Sequence, residues 1–221
     1  MMATHLTQTP TQSPLVLLVP GLNNSGPDHW QTLWERELPH SQRVELGMWD
    51  DPHRNTWVNQ LNLAIHRAGR PVILVAHSLG CHAVAWWAAY EQPAFGRPVV
   101  GALLVAPPDV ESEDIDPRLK RFAPLAGGKL PFRSIVAASR NDPYASFGLA
   151  KRFARKWGSR LVDAGPIGHI NASSGIGNWP YGQYLLNQLV SEATPPRAPL
   201  ISNGSVAVLG KRDQSNARVS R

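Results

Sequence analysis

Read for hydrophobic and polar positions, the chain breaks into short apolar runs separated by longer amphipathic stretches. The runs are Leu15 to Val19, Val44 to Leu46, Val72 to Ala76, Val99 to Ala106, Ser134 to Ala138 and Arg160 to Val162, most of them rich in Val, Ile and Leu and bounded by Pro or Gly. Apolar runs without alternation predict strands buried on both faces. Helices are predicted at Asp28 to Leu38, Thr56 to Ala68, Leu79 to Tyr90, Phe147 to Trp157 and Tyr181 to Val190. In the second of these, Trp57, Leu61, Ala64, Ile65 and Ala68 recur at three- and four-residue steps and define one apolar face. Regular alternation of strand and helix implies an α/β fold: a three-layer sandwich around a mostly parallel six-stranded sheet.

The ends read differently. Residues 1–14 are rich in Thr, Gln and Pro and carry no Lys or Arg, unlike the charged start of a secretory signal. Residues 193–221 begin Pro-rich and end basic, a composition expected of a flexible tail, with a short strand conceivable at Val206 to Leu209. Residues 15–192 remain as one domain, an ordinary size for a single core. The stretch Pro107 to Pro131, with an acidic then a basic cluster, is expected to be a surface loop with a short helix, not a binding patch.

Charge alters this picture less than its total suggests. The formal charge is +6, but 17 basic against 15 acidic residues through Glu192 leave the body at +2, and the segment from Arg197 to Arg221 carries the rest. A nucleic-acid partner is therefore not expected from the domain itself. Cys81 is the only cysteine, so an intrachain disulfide is excluded and no thiolate metal cluster is expected. The apolar run at Leu15 is five residues long, far short of the ~20 a spanning helix needs. These features imply a cytoplasmic protein with no membrane partner.

Candidate chemistry lies at the end of the third run. In Ala76-His77-Ser78-Leu79-Gly80, a serine stands between a buried strand and a helix with small residues two positions to either side. That is the context of a nucleophile elbow, where a strained serine is lifted above the sheet and larger flanking side chains would collide with backbone. Ala76 takes the place of the usual first glycine, a departure of one methyl. An ordinary helix-capping serine would look similar, so the partners decide. A serine nucleophile needs a base, and the base an acid, each just after a later strand so that all open on one edge of the sheet. Asp142 follows the run ending at Ala138, and His169 follows the run ending at Val162. Asp109, after the fourth strand, is the rival acid, although it also suits a helix cap.

An oxyanion hole is expected from the backbone N–H of Leu79, at the start of the helix, and a second N–H from the loop after the first strand. Leu22 is the expected second donor, with Asn23 the alternative. Asn23, His29, Trp30, Trp49 and Trp179 are candidate pocket residues, though such rings equally suit packing over a lidless sheet. Trp86 and Trp87 read as core, and Cys81 as packed beneath its helix. His29, His77 and His82 cluster in sequence near the serine without metal-ligand spacing, so no metal and no other cofactor is expected.

These motifs together resemble the small serine hydrolases of the alpha/beta hydrolase superfamily, the group of retinoblastoma-binding protein 9 homologues and bacterial YdeN-like proteins. The resemblance spans roughly Leu15 to Leu189 and rests on Val19-Pro20-Gly21 with His29-Trp30, Met48-Trp49-Asp50-Asp51-Pro52 with Trp57-Val58, the serine motif, Asn141-Asp142-Pro143, and Gly168-His169-Ile170-Asn171 followed by Gly175 and Trp179-Pro180. It implies a minimal fold without a large lid, a triad on Ser78, Asp142 and His169, and cleavage of a small ester, thioester or amide, ester being preferred. One family name also implies a protein-binding role on the same scaffold, so a binding module with little turnover is the alternative.

Overall fold

The structure, a computed structural model, describes residues 13–193. The expected tail with its strand at Val206 to Leu209, and all but the last two residues of the N-terminal segment, lie outside the described residues. Six strands form one sheet: β1 (Leu15–Val19), β2 (Ser41–Arg43), β3 (Val72–His77), β4 (Val99–Val105), β5 (Arg133–Ala138) and β6 (Arg160–Asp163). Their order is β2-β1-β3-β4-β5-β6 and every pairing is parallel. The helices are α1 (Trp30–Glu37), α2 (Arg54–Arg67), α3 (Leu79–Glu91), the short α4 (Pro117–Lys120), α5 (Phe147–Trp157) and α6 (Pro180–Ala193).

The sheet is covered on both sides, which is why its strands lack polar alternation. On β3, Ile73 and Val75 point into one layer with Trp30 and Trp34 of α1 and Leu185, Leu186 and Leu189 of α6. Leu74 and Ala76 point the other way, toward Trp57 and Leu61 of α2, Val84 of α3 and Phe153 of α5. Successive residues of a strand face opposite sides, so each layer takes every second side chain.

One strand lies three residues earlier than expected. The apolar pattern predicts the second strand at Val44 to Leu46; the ladder instead pairs Val16 with Ser41, Leu17 with Gln42 and Leu18 with Arg43. Val44 and Leu46 are buried, and the Val44 N–H still donates to the Leu18 carbonyl at 2.9 Å. At this edge the apolar run marks the core contact, whereas the ladder uses backbone groups and tolerates polar side chains. None of the helices among the described residues is long and apolar enough to cross a membrane.

Candidate active site

The β3–α3 junction fixes Ser78. Its backbone sits at φ 53°, ψ −127°, a region costly for a residue with a Cβ, on the order of 1–3 kcal/mol. Two neighbours make room for the bend. A Cβ on Gly80 would lie 2.5 Å from the carbonyl oxygens of both Val19 and Pro20, and one on Gly21 would lie 2.8 Å from Cβ of Ser78. The end of β1 therefore packs directly against the turn that carries the serine.

The two other candidate residues arrive from β5 and β6. His169 Nδ1 donates to both carboxylate oxygens of Asp142 at 2.9 Å, and the Ser78 hydroxyl donates to His169 Nε2 at 2.9 Å. Both partners are sheltered, the His169 side chain 8% and that of Asp142 3% exposed. Asp142 also accepts the Tyr144 N–H at 2.9 Å, and the Tyr144 ring lies 4.5 Å from the imidazole. A polar bridge joins the two loops. Ser139 Oγ accepts the Ile167 N–H at 3.0 Å, and Asn141 Oδ1 accepts the Gly168 N–H at 2.7 Å. The rival acid is elsewhere engaged: Asp109 accepts from the Glu111 and Ser112 N–H groups and makes no bond to His169.

A cleft of about 340 Å³ opens above Ser78. Leu22, Asn23, His29, His77, Ser78 and His169 line it. No acceptor among the described residues takes the N–H of Leu22 or Leu79, whereas the Asn23 N–H is spent on the Trp49 carbonyl at 2.7 Å. Of the two loop amides weighed as the second oxyanion donor, only that of Leu22 is open.

The tryptophans are where expectation and structure part. Trp30 and Trp179 are buried together with Trp34, and Trp49 packs edge-on against Trp57; none of them lines the cleft. Their area goes into holding the loops beneath the site. Trp87 is core, while Trp86 is half-buried beneath the Arg54 guanidinium. The charged stretch expected to be plain surface also needs correction, because Asp116, Arg118 and Leu119 form one wall of the cleft. Arg118 there is paired with Asp116 at 2.6 Å. Asn24, Gly26, Tyr144, Asn171, Ala172 and Ser173 complete the lining, beyond the expected pocket residues. Tyr144 had a usable signal, two residues past the acid, and Asn171 stands in the Gly168-His169-Ile170-Asn171 motif, whereas Ala172 and Ser173 open a single 3-10 turn with no apolar pattern.

Of the three histidines near the serine, His29 and His77 meet edge-on with ring centroids 4.7 Å apart, while His82 faces away into the helix layer. His82 donates to or accepts from no other histidine; its Nε2 is bonded to the Pro108 carbonyl at 2.8 Å. Burial pushes it down to about 4. His29 caps α1, its Nδ1 accepting the Gln31 N–H at 3.1 Å. Its own pKa is pushed down to about 4, chiefly by burial and then by Arg43 and His169. His77 is held well below the usual imidazole range by burial first, then by His29 and His169. Both rings beside the cleft are thus uncharged; the His77 Nε2–H donates to the His169 carbonyl, and His29 Nε2 has no hydrogen-bond partner among the described residues. Burial likewise raises the Cys81 thiol, which is packed inside α3.

A parallel sheet with a strained serine at the β3–α3 turn, facing an acid after β5 and a histidine after β6, defines an alpha/beta hydrolase. The family model for serine hydrolases matches residues 16–188, and the chain belongs to that family. Among solved structures it is similar to a YdeN-like hydrolase from Pectobacterium atrosepticum, 35% identical over 83% of this chain and 94% of that one, with a TM-score of 0.72. The ydeN gene product of B. subtilis is 22% identical over 80% of this chain and 99% of that one, with a TM-score of 0.64. Est1E from Butyrivibrio proteoclasticus, solved with ferulic acid, shares the fold at 12% identity, covering 83% of this chain and 92% of that one, with a TM-score of 0.62. No curated protein matches the sequence.

Proposed function

We propose that the protein hydrolyses a small carboxylic ester through an acyl-enzyme on Ser78. The observation that carries this reading is the unbroken hydrogen-bond chain from Ser78 Oγ through both nitrogens of His169 to Asp142. In the first step His169 Nε2 takes the Ser78 proton as Oγ bonds to the carbonyl carbon, and the resulting oxyanion accepts from the Leu79 and Leu22 N–H groups. Collapse breaks the bond to the leaving group, which receives the proton from His169. Water, deprotonated by the same nitrogen, then attacks the acyl carbon and releases Ser78. Asp142 keeps the proton on Nδ1 and offsets the imidazolium charge.

The cleft supports a small substrate, since its volume lies near the lower end of the range for ligand pockets, on the order of 300–1,000 Å³. A fluorophosphonate should label the wild type and not Ser78→Ala, and the wild type should turn over short acyl esters faster than the matching amides. Equal labelling of Ser78→Ala would refute the nucleophile, and faster amide turnover would refute the ester preference.

A further inference from the structure

The loop that carries His169 contains an improbable residue. Ile170 is fully buried with φ 49°, a left-handed backbone that a β-branched side chain almost never adopts. Left alone, the loop would relax by returning Ile170 to negative φ, which would swing the neighbouring His169. Two buried rings from distant earlier parts of the chain oppose this. His77 Nε2, from the residue before Ser78, is bonded to the His169 carbonyl at 2.9 Å, and Trp30 Nε1, from α1, donates to the Ile170 carbonyl at 2.8 Å. A carbonyl can only accept, so the His77 proton sits on Nε2.

We propose that His77 and Trp30 act as a pair of positioning residues, clamping the consecutive carbonyls of His169 and Ile170 so that the base stays aimed at Ser78. The inference rests on the reading of Ser78 and His169 as nucleophile and base. His77 suits the task because burial keeps it uncharged. Its ring centroid is 5.0 Å from that of His169, where a positive charge would oppose formation of the imidazolium. A neutral N–H donor supplies the bond without that repulsion.

The full-length protein tests this with His77→Leu and Trp30→Phe, which delete a donor, and His77→Gln, which keeps a neutral N–H. Fluorophosphonate inactivation should show kinact lowered about 10- to 100-fold in the two deletions, with KI changed less than about 2-fold, as expected for a misaimed group rather than a lost contact. His77→Gln should recover most of the rate. Trp30→Phe keeps the buried ring and serves where His77→Leu fails to fold. Inactivation of both deletions at the wild-type rate, a change in KI alone, or a Gln variant as slow as Leu would overturn the clamp. A wild type that is not labelled would instead overturn the nucleophile reading. Crystal structures of the deletions decide the clamp independently of activity: Ile170 should return to negative φ and His169 leave Ser78, and an unmoved loop would overturn it.

Discussion

Replacing Gly80 by alanine is the most searching single-atom test of how the fold holds Ser78. The added Cβ would stand 2.5 Å from the carbonyl oxygens of Val19 and Pro20. Carbon-to-oxygen contacts settle near about 3.3 Å, so each is roughly 0.8 Å too short. Neither oxygen can rotate away, because both belong to the main chain at the end of β1. Overpacking of a core costs about 1–3 kcal/mol, and two backbone clashes put this one near the top of that range. For a chain of this size about 3 kcal/mol lowers the melting temperature by roughly 6–12 °C. The strain should also reach the chemistry. Relief requires the loop after β1, which carries Leu22, to move away from Ser78, and a displacement approaching 1 Å costs on the order of 100-fold in rate. Thermal unfolding and fluorophosphonate labelling of the purified variant measure the two effects. Gly127→Ala is the control, since nothing lies within 4 Å of its Cβ and its φ is not positive. A Gly80→Ala protein that melts within about 2 °C of the wild type and labels at its rate would refute the argument that the β1 backbone braces the elbow.

Other predictions follow from the same geometry. Asp142→Asn should slow labelling by about 10³- to 10⁴-fold, since the amide favours the wrong imidazole tautomer. Asp109→Asn should leave the rate within about 2-fold, because an Asn side chain still caps the Glu111 and Ser112 N–H groups; a loss comparable to that of Asp142→Asn would reassign the acid. Stability should fall with acid in a defined window. His29 and His82 titrate near 6.5 when unfolded but are pushed down to about 4 when folded, so between these values the unfolded chain binds more protons. The stability they supply is complete above pH 6.5 and is lost as pH falls toward 4, on the order of 2 kcal/mol for each by pH 5. Urea midpoints at pH 7.5 and 5 read this directly, and His82→Gln should flatten the dependence; a flat wild-type profile would contradict the buried neutral rings.

The fold was legible because its core lies in the sheet. Residues buried on both faces must be apolar, so the runs Val72 to Ala76 and Val99 to Ala106 mark β3 and β4 to within one residue at their ends. Edge strands carry no such requirement. β2 pairs through Ser41, Gln42 and Arg43, and the nearest apolar run lies just past it. The candidate triad was legible for a related reason: in a parallel sheet all strand-to-helix turns open on one edge, so chain order and strand ends suffice to bring Ser78, Asp142 and His169 together.

The cleft wall was not legible, because residue type does not report depth. Trp30 and Trp179 follow the same loops as the cleft residues, but a ring that large is stabilised by burial, on the order of 25 cal/mol for each Å² of apolar surface removed from water. The chain places them beneath the loops, in contact with Trp34, and leaves the cleft to smaller and more polar side chains such as Asn23, Asn171 and Ser173. The same reasoning separates the two histidines of the elbow region. His77 and His82 are five residues apart and both buried, yet only His77 lines the cleft, because it ends the strand while His82 turns into the helix layer against Phe153 and Trp157. The C-terminal end of a strand marks a site residue here, but the start of a helix does not, since Trp30 opens α1 beside His29 and is buried. That is why the strand ends were readable and the aromatic loops were not.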